Sequence, residues 1–497
     1  MKYSLPATAA VGLSLLIAQP AFADAETEAL KKEVKALEAR IAQLEKKEAQ
    51  DKKNQQAQTQ QAPAATGNNT GNASIEKRLA IVERKQEVTQ EYTNAKDAVT
   101  PKFSYTPARG LVLATPDNQY ALRVSGYVQA DDRSFLNPNN KDGNTDTFLI
   151  RSARPVVEAK LTDYFDSRFM VDFGKGSTTL LDAYGDFHPM PGSDLFSLRA
   201  GEFKLPIGIE RWQSESDVLF VERGQTTNLV PYRDTGIMAH GQLIPDQLEY
   251  EAGLTNGAVD LATPTNTGDT DNNKDVMGRI FVHPLTWSGI EALSGLGVGI
   301  GGTYGKHQGG VAAGASGLTT GYATFGQRTF FTYRATSFAN GPQRRINPQL
   351  TYYYGPLGIM GEYVADTQEV KNGTHDMNLR NNAWEGVASY VLTGEDASFD
   401  GVTPAHNFDP RSNQWGAFEL VGRVSQLDVD RNAFGTYADP SVSARSAFET
   451  TLGGTWYFSR AVKFNLDFSR TTFEGGALGN YDHQDERAVL SRVQLRF

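Results

Sequence analysis

The sequence predicts an all-β fold, a transmembrane antiparallel β-barrel of about 16 strands preceded by a short N-terminal coiled-coil helix and a linker. Three observations predict it. Short segments with alternating apolar and polar residues recur beyond Pro101, separated by clusters of Gly, Asn, Asp and Pro. Aromatic residues lie near the ends of these segments, and the chain begins with features of an export leader.

Residues 1–23 have the features of a secretory signal peptide: an early Lys2, an apolar run over 11–18, and the small residues Ala21 and Ala23. This run is shorter than the roughly 18 apolar residues that a membrane helix needs, and no later stretch reaches that length. The chain has no cysteine. We therefore expect an exported protein, cleaved after Ala23, that is stabilised without disulfides or a lipid-anchoring cysteine.

Residues 24–50 predict a coiled-coil helix, with a lone amphipathic surface helix as the alternative. Apolar residues recur there at alternating spacings of four and three: Leu30, Val34, Leu37, Ile41 and Leu44. Residues 51–100 predict a flexible linker, because Gln, Asn, Ala, Thr and Gly dominate its first part. A second, weaker helix is expected within it around "SIEKRLAIVERKQEV". The barrel is predicted over residues 101–497.

The predicted strands have one apolar and one polar face. In "AVKFNLDFS", Phe464, Leu466 and Phe468 alternate with Asn465 and Asp467. A soluble β-sandwich would alternate as well, but the leader, the aromatic strand ends and strands of about ten residues favour a barrel in a membrane. At roughly 25 residues per strand and connection, residues 102–497 allow about 16 strands, and such a barrel encloses water. The segment "AVLSRVQLRF" is predicted to be the closing strand, which pairs with the first.

Other features of the sequence exclude several classes of function. The formal net charge of −10 makes nucleic acid an improbable partner. The seven histidines are scattered, so we predict neither a metal site nor a cofactor. No Gly-x-Ser-x-Gly motif occurs, and we do not expect an enzyme, although a dispersed triad would escape this test. The stretch "GKGSTT" at Gly174 lacks the spacing of a phosphate-binding loop and predicts a turn at a strand end.

Several longer stretches resemble the phosphate-selective porin O and P family of bacterial outer-membrane channels. They are "FLIRSARPVVEAKLTDYFDSRFMVDFG", "LRAGEFKLPIGIERWQSESDVLFVER", "VASYVLTGE", "NQWGAFELVGRVSQLDV" and "GTWYFSRAVKFNLDF", followed by the terminal "RVQLRF". The terminal Phe497 is also similar to the aromatic residue on which such barrels end. The resemblance implies a 16-stranded, trimeric barrel whose lumen passes anions, phosphate and polyphosphate in particular, along arginines and lysines.

The resemblance places candidate anion-binding residues in three segments. The arginine-rich strand segment falls on Arg151, Arg154 and Lys160, although Ser152 stands where the most basic version of the pattern has a second arginine. Lys204 belongs to the Gly-Glu-Phe-Lys-Leu-Pro motif, and Arg223 and Arg233 lie in the following connection. Strand alternation adds a further pore-lining candidate, Arg279.

Alternation does not place all of these side chains on one face. Arg154 and Lys160 share a face, whereas Arg151 falls on the opposite one, unless Pro155 marks a bulge or Arg151 lies beyond the membrane. Acidic residues also alternate with the basic ones, so a mixed, mutually paired lumen is as consistent with the sequence as a dedicated row of cations. We expect an inward-folded loop to constrict the pore, with residues 210–234 as one candidate.

The leading hypothesis is a passive outer-membrane porin for small anions that resemble phosphate. Two alternatives remain: a porin of the same fold with weak or different selectivity, and a barrel that anchors a periplasmic coiled-coil tether to the cell wall or to a protein partner. We expect outer-membrane lipid around the barrel, a homotrimer, and the N-terminal segment in the periplasm.

Overall fold

The computed structural model describes residues 70–107, 109–136, 145–261, 271–312, 316–479 and 481–497, with the isolated positions 39, 43 and 46. The predicted signal peptide, most of the predicted coiled coil and the first part of the linker lie outside the described residues. A helix, α1 (Thr70–Val99), forms where the weaker helix was predicted, and its Leu79 and Val82 are exposed. None of the described helices is long and apolar enough to cross a membrane.

Sixteen antiparallel strands close into a barrel within the described residues, which confirms the predicted fold class. Two short strands precede it, β1 (Lys102–Thr106) and β2 (Gly110–Ala114), and β2 pairs with the first barrel strand. The barrel strands are β3 (Ala121–Phe135), β4 (Thr147–Lys160), β5 (Phe165–Asp172), β6 (Thr179–Phe187), β7 (Ser197–Lys204), β8 (Arg233–Ile244), β9 (Leu248–Thr255), β10 (Asp275–Val282), β11 (Leu296–Gln308), β14 (Ser337–Tyr354), β15 (Leu357–Asn372), β16 (His375–Val391), β17 (Ala417–Asp428), β18 (Ala444–Tyr457), β19 (Val462–Ala477) and β21 (Glu486–Arg496). Three shorter strands lie in connections: β12 (Tyr322–Ala323), β13 (Thr329–Phe331) and β20 (Tyr481–Asp482).

The barrel wall buries its polar face and exposes its apolar face, the reverse of a soluble protein. On β19, Asn465 and Asp467 are buried, whereas Leu466 and Phe468 between them are 48% and 45% exposed. This arrangement suits a strand whose outer face meets lipid and whose inner face meets a polar lumen. Closure of the sheet pairs its last strand with its first, so the backbone groups at these two edges find partners, which a bilayer requires.

The closing contact joins the last strand to the first barrel strand, as predicted. Strand β21 pairs with β3, and Phe497 exchanges two backbone hydrogen bonds with Gly126, of 2.8 and 2.9 Å. A side chain at Gly126 would meet the Arg154 carbonyl oxygen at 2.6 Å and the Phe497 ring at 2.9 Å. Glycine at this position therefore permits the seam to close.

The two ends of the barrel differ. We call the end where β3 begins and β21 ends the terminal end; its connections include the short turns at 245–247, 355–356 and 458–461. The opposite end, the loop end, has longer connections, among them residues 205–232 and 309–336. In outer-membrane barrels the short turns are periplasmic and the longer loops extracellular. Short helices in the connections are α2 (Ile209–Trp212), α3 (Glu291–Ser294) and 3-10 turns at Gly174–Gly176, Gln225–Leu229, Thr286–Ser288, Pro410–Ser412 and Arg431–Ala433.

Candidate functional site

The connection between β7 and β8, residues 205–232, runs inside the barrel, and we call it the constriction loop. Nearly all of its residues are buried, charged ones included. It contacts inward-facing side chains on both sides of the lumen, from β3 and β4 and from β14 to β19. The candidate segment 210–234 predicted from the sequence is therefore an inward-folded loop.

One side of the constriction loop is fixed to strands β15 to β19. The Glu362 carboxylate accepts hydrogen bonds from the Ile209 N–H at 2.8 Å and the Thr226 hydroxyl at 2.9 Å. Arg423 donates to Glu210 at 3.0 Å, and Asp467 accepts from the Val221 N–H at 2.6 Å. These contacts give partners to several of the loop's buried backbone and charged groups, so the loop is held without secondary structure of its own over most of its length.

The other side of the loop faces arginines of β3 and β4. Glu222 accepts from Arg151 at 2.6 and 3.0 Å and from Arg133 at 2.5 Å. Burial raises the pKa of Glu222, but Arg151 and Arg133 outweigh burial and hold that pKa below its usual range. The carboxylate is therefore ionised and joins the loop to the wall at neutral pH.

A second loop carboxylate, Glu215, lies between two more arginines. It pairs with Arg223 of the loop and lies 3.6 Å from a terminal nitrogen of Arg154. Arg154 also donates to Asp172 at 2.7 Å and to the hydroxyls of Tyr127 and Tyr232 at 2.8 and 3.0 Å. Its guanidinium is thus held in one orientation by neighbours on three elements.

These groups surround a cavity of about 260 Å³, which we call the cationic cavity. Its lining contains more basic than acidic side chains. The basic ones are Arg151, Arg154, Lys175, Arg211 and Arg223, and the acidic ones are Glu215 and Glu222. The surplus of three positive charges makes this part of the lumen attractive to anions.

Two of the lining cations have no carboxylate partner within the described residues. Arg211 donates one hydrogen bond, to the Thr227 carbonyl oxygen at 2.8 Å, and its Nε is buried without a partner. Lys175 makes no hydrogen bond or ion pair there. Burial, together with neighbouring cations, lowers the pKa of Arg211 to about 10 and lowers that of Lys175. A lowered pKa is typical of a cation whose charge the neighbouring protein groups do not neutralise.

A β-bulge explains how Arg151 and Arg154 both reach the lumen. In the β3–β4 pairing, Gln129 is opposite Ser152 and the next residue, Ala130, is opposite Ile150. Arg151 is therefore the extra residue, and the alternation is reset there. Pro155 is the bulge position that the sequence suggests; the structure places the bulge four residues earlier, at Arg151.

Lys204 and Arg233 lie behind the cavity, at the two ends of the constriction loop. They are opposite each other on β7 and β8. Lys204 donates to the carbonyl oxygens of Trp212 and Gln213, and Arg233 donates to Asp182 at 2.7 Å. Both cations lie near the Tyr232 ring, with Arg233 4.1 Å from its centroid. They support the loop's base and the aromatic wall of the cavity.

The structure does not bring the other two predicted residues into the cavity. Lys160 lies at the last residue of β4, toward the terminal end, and pairs with Asp163 at 2.6 Å. Lys160 lies six positions along β4 from Arg154 and does not line the cavity, so its anion-binding, pore-lining role stays a prediction. Arg279 faces inward on β10 but binds Gln349 at 3.0 Å and Glu251 at 3.3 Å. We call the inward-facing strand arginines that are paired with carboxylates the paired wall; it includes Arg279 with Glu251, Arg345 with Asp260 and Arg423 with Glu449.

Sequence reasoning missed Lys175, Arg211 and Arg133. Lys175 lies in the "GKGSTT" stretch, which forms the predicted turn, a 3-10 turn with Lys175 at φ 54°. A side chain at Gly174 would meet the Arg151 carbonyl oxygen at 2.5 Å, so this turn packs directly on the bulged segment of β4. The sequence predicts this turn, but a turn at a strand end gives no information about which side chains it brings to the lumen.

Comparison with known proteins assigns the chain to a family. Residues 122–497 match the family described as phosphate-selective porin O and P. The chain belongs to the phosphate-selective porin O and P family. Porin O of Pseudomonas aeruginosa is 24% identical over 427 residues, which cover 78% of this chain and 91% of that protein. The resemblance found in the sequence is thereby confirmed.

Among solved structures, the outer-membrane channel DcaP of Acinetobacter baumannii has the same fold. It superposes with a TM-score of 0.50 at 9% identity, covering 76% of this chain and 98% of that one. Family membership and the relative Porin O together make this protein an outer-membrane channel.

Proposed function

We propose that this porin conducts small anions of the phosphate class and that the cationic cavity is where it selects them. The single observation that carries the proposal is the surplus of basic side chains around the cavity. Planar guanidinium groups match the oxygens of phosphate, and rings of fixed charge set the selectivity of pores.

The arrangement of charges also supports passage rather than permanent binding. Conduction needs a site that is favourable enough to enter and weak enough to leave. Arg151, Arg154 and Arg223 already have Glu222 or Glu215 as partners, which reduces their attraction for an incoming anion. Arg211 and Lys175 have no such ion-pair partner among the described residues, so their attraction for an anion is not reduced. An anion in the cavity would therefore contact two cations without ion-pair partners, Arg211 and Lys175. The three arginines that already pair with Glu222 or Glu215 would lie close by.

The test is the zero-current potential of the purified channel in a planar bilayer with a chloride gradient, followed by addition of phosphate. We expect anion selectivity and block of the chloride current by phosphate. Lys175→Gln should reduce both, whereas the matched variant Lys160→Gln, which removes a lysine outside the cavity, should leave both unchanged. A cation-selective wild type would reject the proposal.

A porin with weak selectivity is the second candidate, and the paired charges elsewhere in the lumen favour it. Arg345 binds Asp260 at 2.8 Å and Arg492 binds Asp131 at 2.7 Å, both buried. If such pairs dominate the pore, the chloride gradient should give a potential near zero and phosphate should not block. The same bilayer recording therefore separates the two candidates.

We further propose a homotrimer whose N-terminal segment lies in the periplasm and meets the cell wall or a protein partner. The support is the family resemblance and the heptad spacing of residues 24–50. Crosslinking of the full chain and of a variant lacking residues 24–100 should yield trimers in both. Loss of envelope attachment in the deletion variant, with unchanged conductance, would support the tether; an unchanged envelope would reject it.

A further inference from the structure

The outer surface of the barrel carries a groove of about 1210 Å³ across strands β9 to β16. Its floor consists of residues with little or no side chain. Gly278 of β10 is directly opposite Ala252 of β9 on one side and Gly302 of β11 on the other. Apolar neighbours on the same strands, Val276 and Ile280, are each 54% exposed and form the groove's walls. The groove is long, apolar and open to the outside of the barrel.

Two arginines lie at the side of this groove nearer the loop end. Arg344 of β14 is opposite Tyr304 of β11 and Thr367 of β15, and Thr367 is opposite Arg380 of β16. Both arginines line the groove and both are exposed. Two inter-strand spacings, about 10 Å, separate their backbones, and two extended arginine side chains can close most of that gap.

Within the described ranges neither guanidinium group is paired with a carboxylate, although the backbone N–H of Arg380 donates to Asp430 at 2.8 Å. Arg344 makes no hydrogen bond or ion pair there, and the Nε of Arg380 donates to Asn382 at 3.1 Å. Another outward-facing arginine differs: Arg470 of β19 pairs with Asp485 at 2.7 Å. Arg344 and Arg380 are therefore open cations, although Glu369, two residues beyond Thr367 on β15, limits how far an anion could extend toward the loop end.

Arg344 and Arg380 lie at the edge of the apolar belt, as judged from their distance across the membrane to the terminal end of the barrel. Arg344 lies ten residues before Tyr354, the exposed aromatic at the terminal end of β14. Ten residues span about 33 Å along a strand, or about 25 Å across a membrane at the usual tilt of 35–45°. That distance equals the height of the apolar band of an outer-membrane barrel. The guanidinium groups thus lie at the level of lipid headgroups.

We propose that this groove is a binding site for a lipid with an anionic phosphate headgroup. An acyl chain lies over Gly278 and Gly302, and the phosphate contacts Arg344 and Arg380. Charge complementarity selects this occupant, because bidentate arginines match phosphate oxygens. A second outer groove, of about 480 Å³ around Gly361, Gly386 and Gly422, has no outward-facing cation among its lining residues. The site is separate from the channel and goes beyond anion passage.

The test is native mass spectrometry of the full-length channel after delipidation and incubation with dimyristoyl phosphatidic acid or, as a neutral-headgroup control, dimyristoyl phosphatidylcholine. We expect wild-type protein to retain phosphatidic acid preferentially. The double variant Arg344→Gln/Arg380→Gln should retain about tenfold less of it, since two charge-assisted contacts are lost. Arg470→Gln should behave as wild type.

A second variant tests the groove itself. A side chain at Gly278 would find its nearest atom, the Glu251 carbonyl oxygen, at 3.5 Å, so Gly278→Val fits the fold while filling the groove. It should reduce retention, whereas Gly361→Val in the second groove should not. Equal retention of both lipids, or by all variants, would overturn the proposal, as would a change of oligomeric state without loss of lipid, which would assign the groove to a second copy. Ion selectivity should stay unchanged in every variant, which separates this test from that of the channel.

Discussion

The paired wall and the cationic cavity use the same residue types in opposite ways. On the wall, Arg423 is fully buried between Glu210 and Glu449, each at 3.0 Å. In the cavity, neither Arg211 nor Lys175 forms an ion pair with a carboxylate among the described residues, although Glu215 and Glu222 line the same cavity. A buried arginine with two carboxylates is compensated and holds structure; a cation that protein groups leave uncompensated retains its attraction for a mobile anion. The number of arginines in the lumen does not predict anion attraction by itself. What matters is whether each arginine is paired with a carboxylate.

The largest effect should follow from breaking a pair of the wall. Arg423→Gln leaves Glu210 and Glu449 buried without their cation, a change that typically costs about 3–5 kcal/mol. The urea midpoint of unfolding, followed by tryptophan fluorescence, should fall, and single-channel current should become noisier as the constriction loop loses an anchor. An unchanged midpoint and a quiet channel would show that the pair does not hold the loop.

Charge reversal in the cavity should change selectivity and leave the fold intact. Lys175→Glu alters the local charge by two units; at roughly 8 Å in a water-like dielectric this changes an anion's energy by about 1 kcal/mol, or about fivefold in permeability ratio. The reversal potential in a chloride gradient measures it. The urea midpoint of this variant should match that of wild type, in contrast to Arg423→Gln.

Alkaline pH should weaken anion selectivity through Lys175. Burial and the neighbouring Arg151 lower the pKa of Lys175, while Glu222 and Glu215 partly oppose them and Arg133 adds to the lowering. Lys175 therefore loses its charge at a lower pH than a lysine with an ordinary pKa. Reversal potentials recorded from pH 7 to pH 10 should decline in wild type and decline less in Lys175→Gln. Parallel curves for the two proteins would contradict this assignment.

The smallest effect is expected outside the cavity. Lys160 pairs with Asp163 at the end of β4, and exposed pairs of this kind contribute about 0–1 kcal/mol. Lys160→Gln should change neither the reversal potential nor phosphate block, and should shift the urea midpoint only slightly. A clear loss of selectivity in this variant would return Lys160 to the anion path and blur the contrast between wall and cavity.

The fold was predictable because it depends on a pattern that repeats along the chain. The alternation on β19 and in the closing strand β21 is visible residue by residue, and the inward loop follows a recognisable motif. The site was only partly predictable. Alternation alone puts Arg151 on the face opposite Arg154 and leaves its position open, because counting residues cannot detect the one that a bulge inserts. Alternation along a strand cannot predict that Lys175 lines the cavity, because its neighbours Arg211 and Arg223 lie more than thirty residues away along the chain.

The proposal that the cationic cavity binds anions is tested most directly by X-ray diffraction from crystals of the full-length porin grown in bromide. The data are collected at the bromine absorption edge. We predict an anomalous peak in the cationic cavity, between Lys175, Arg211 and Arg223, that weakens in crystals of Lys175→Gln. Bromide found elsewhere in the lumen or on the surface, with the cavity empty of it, would contradict the proposal that this cavity selects anions.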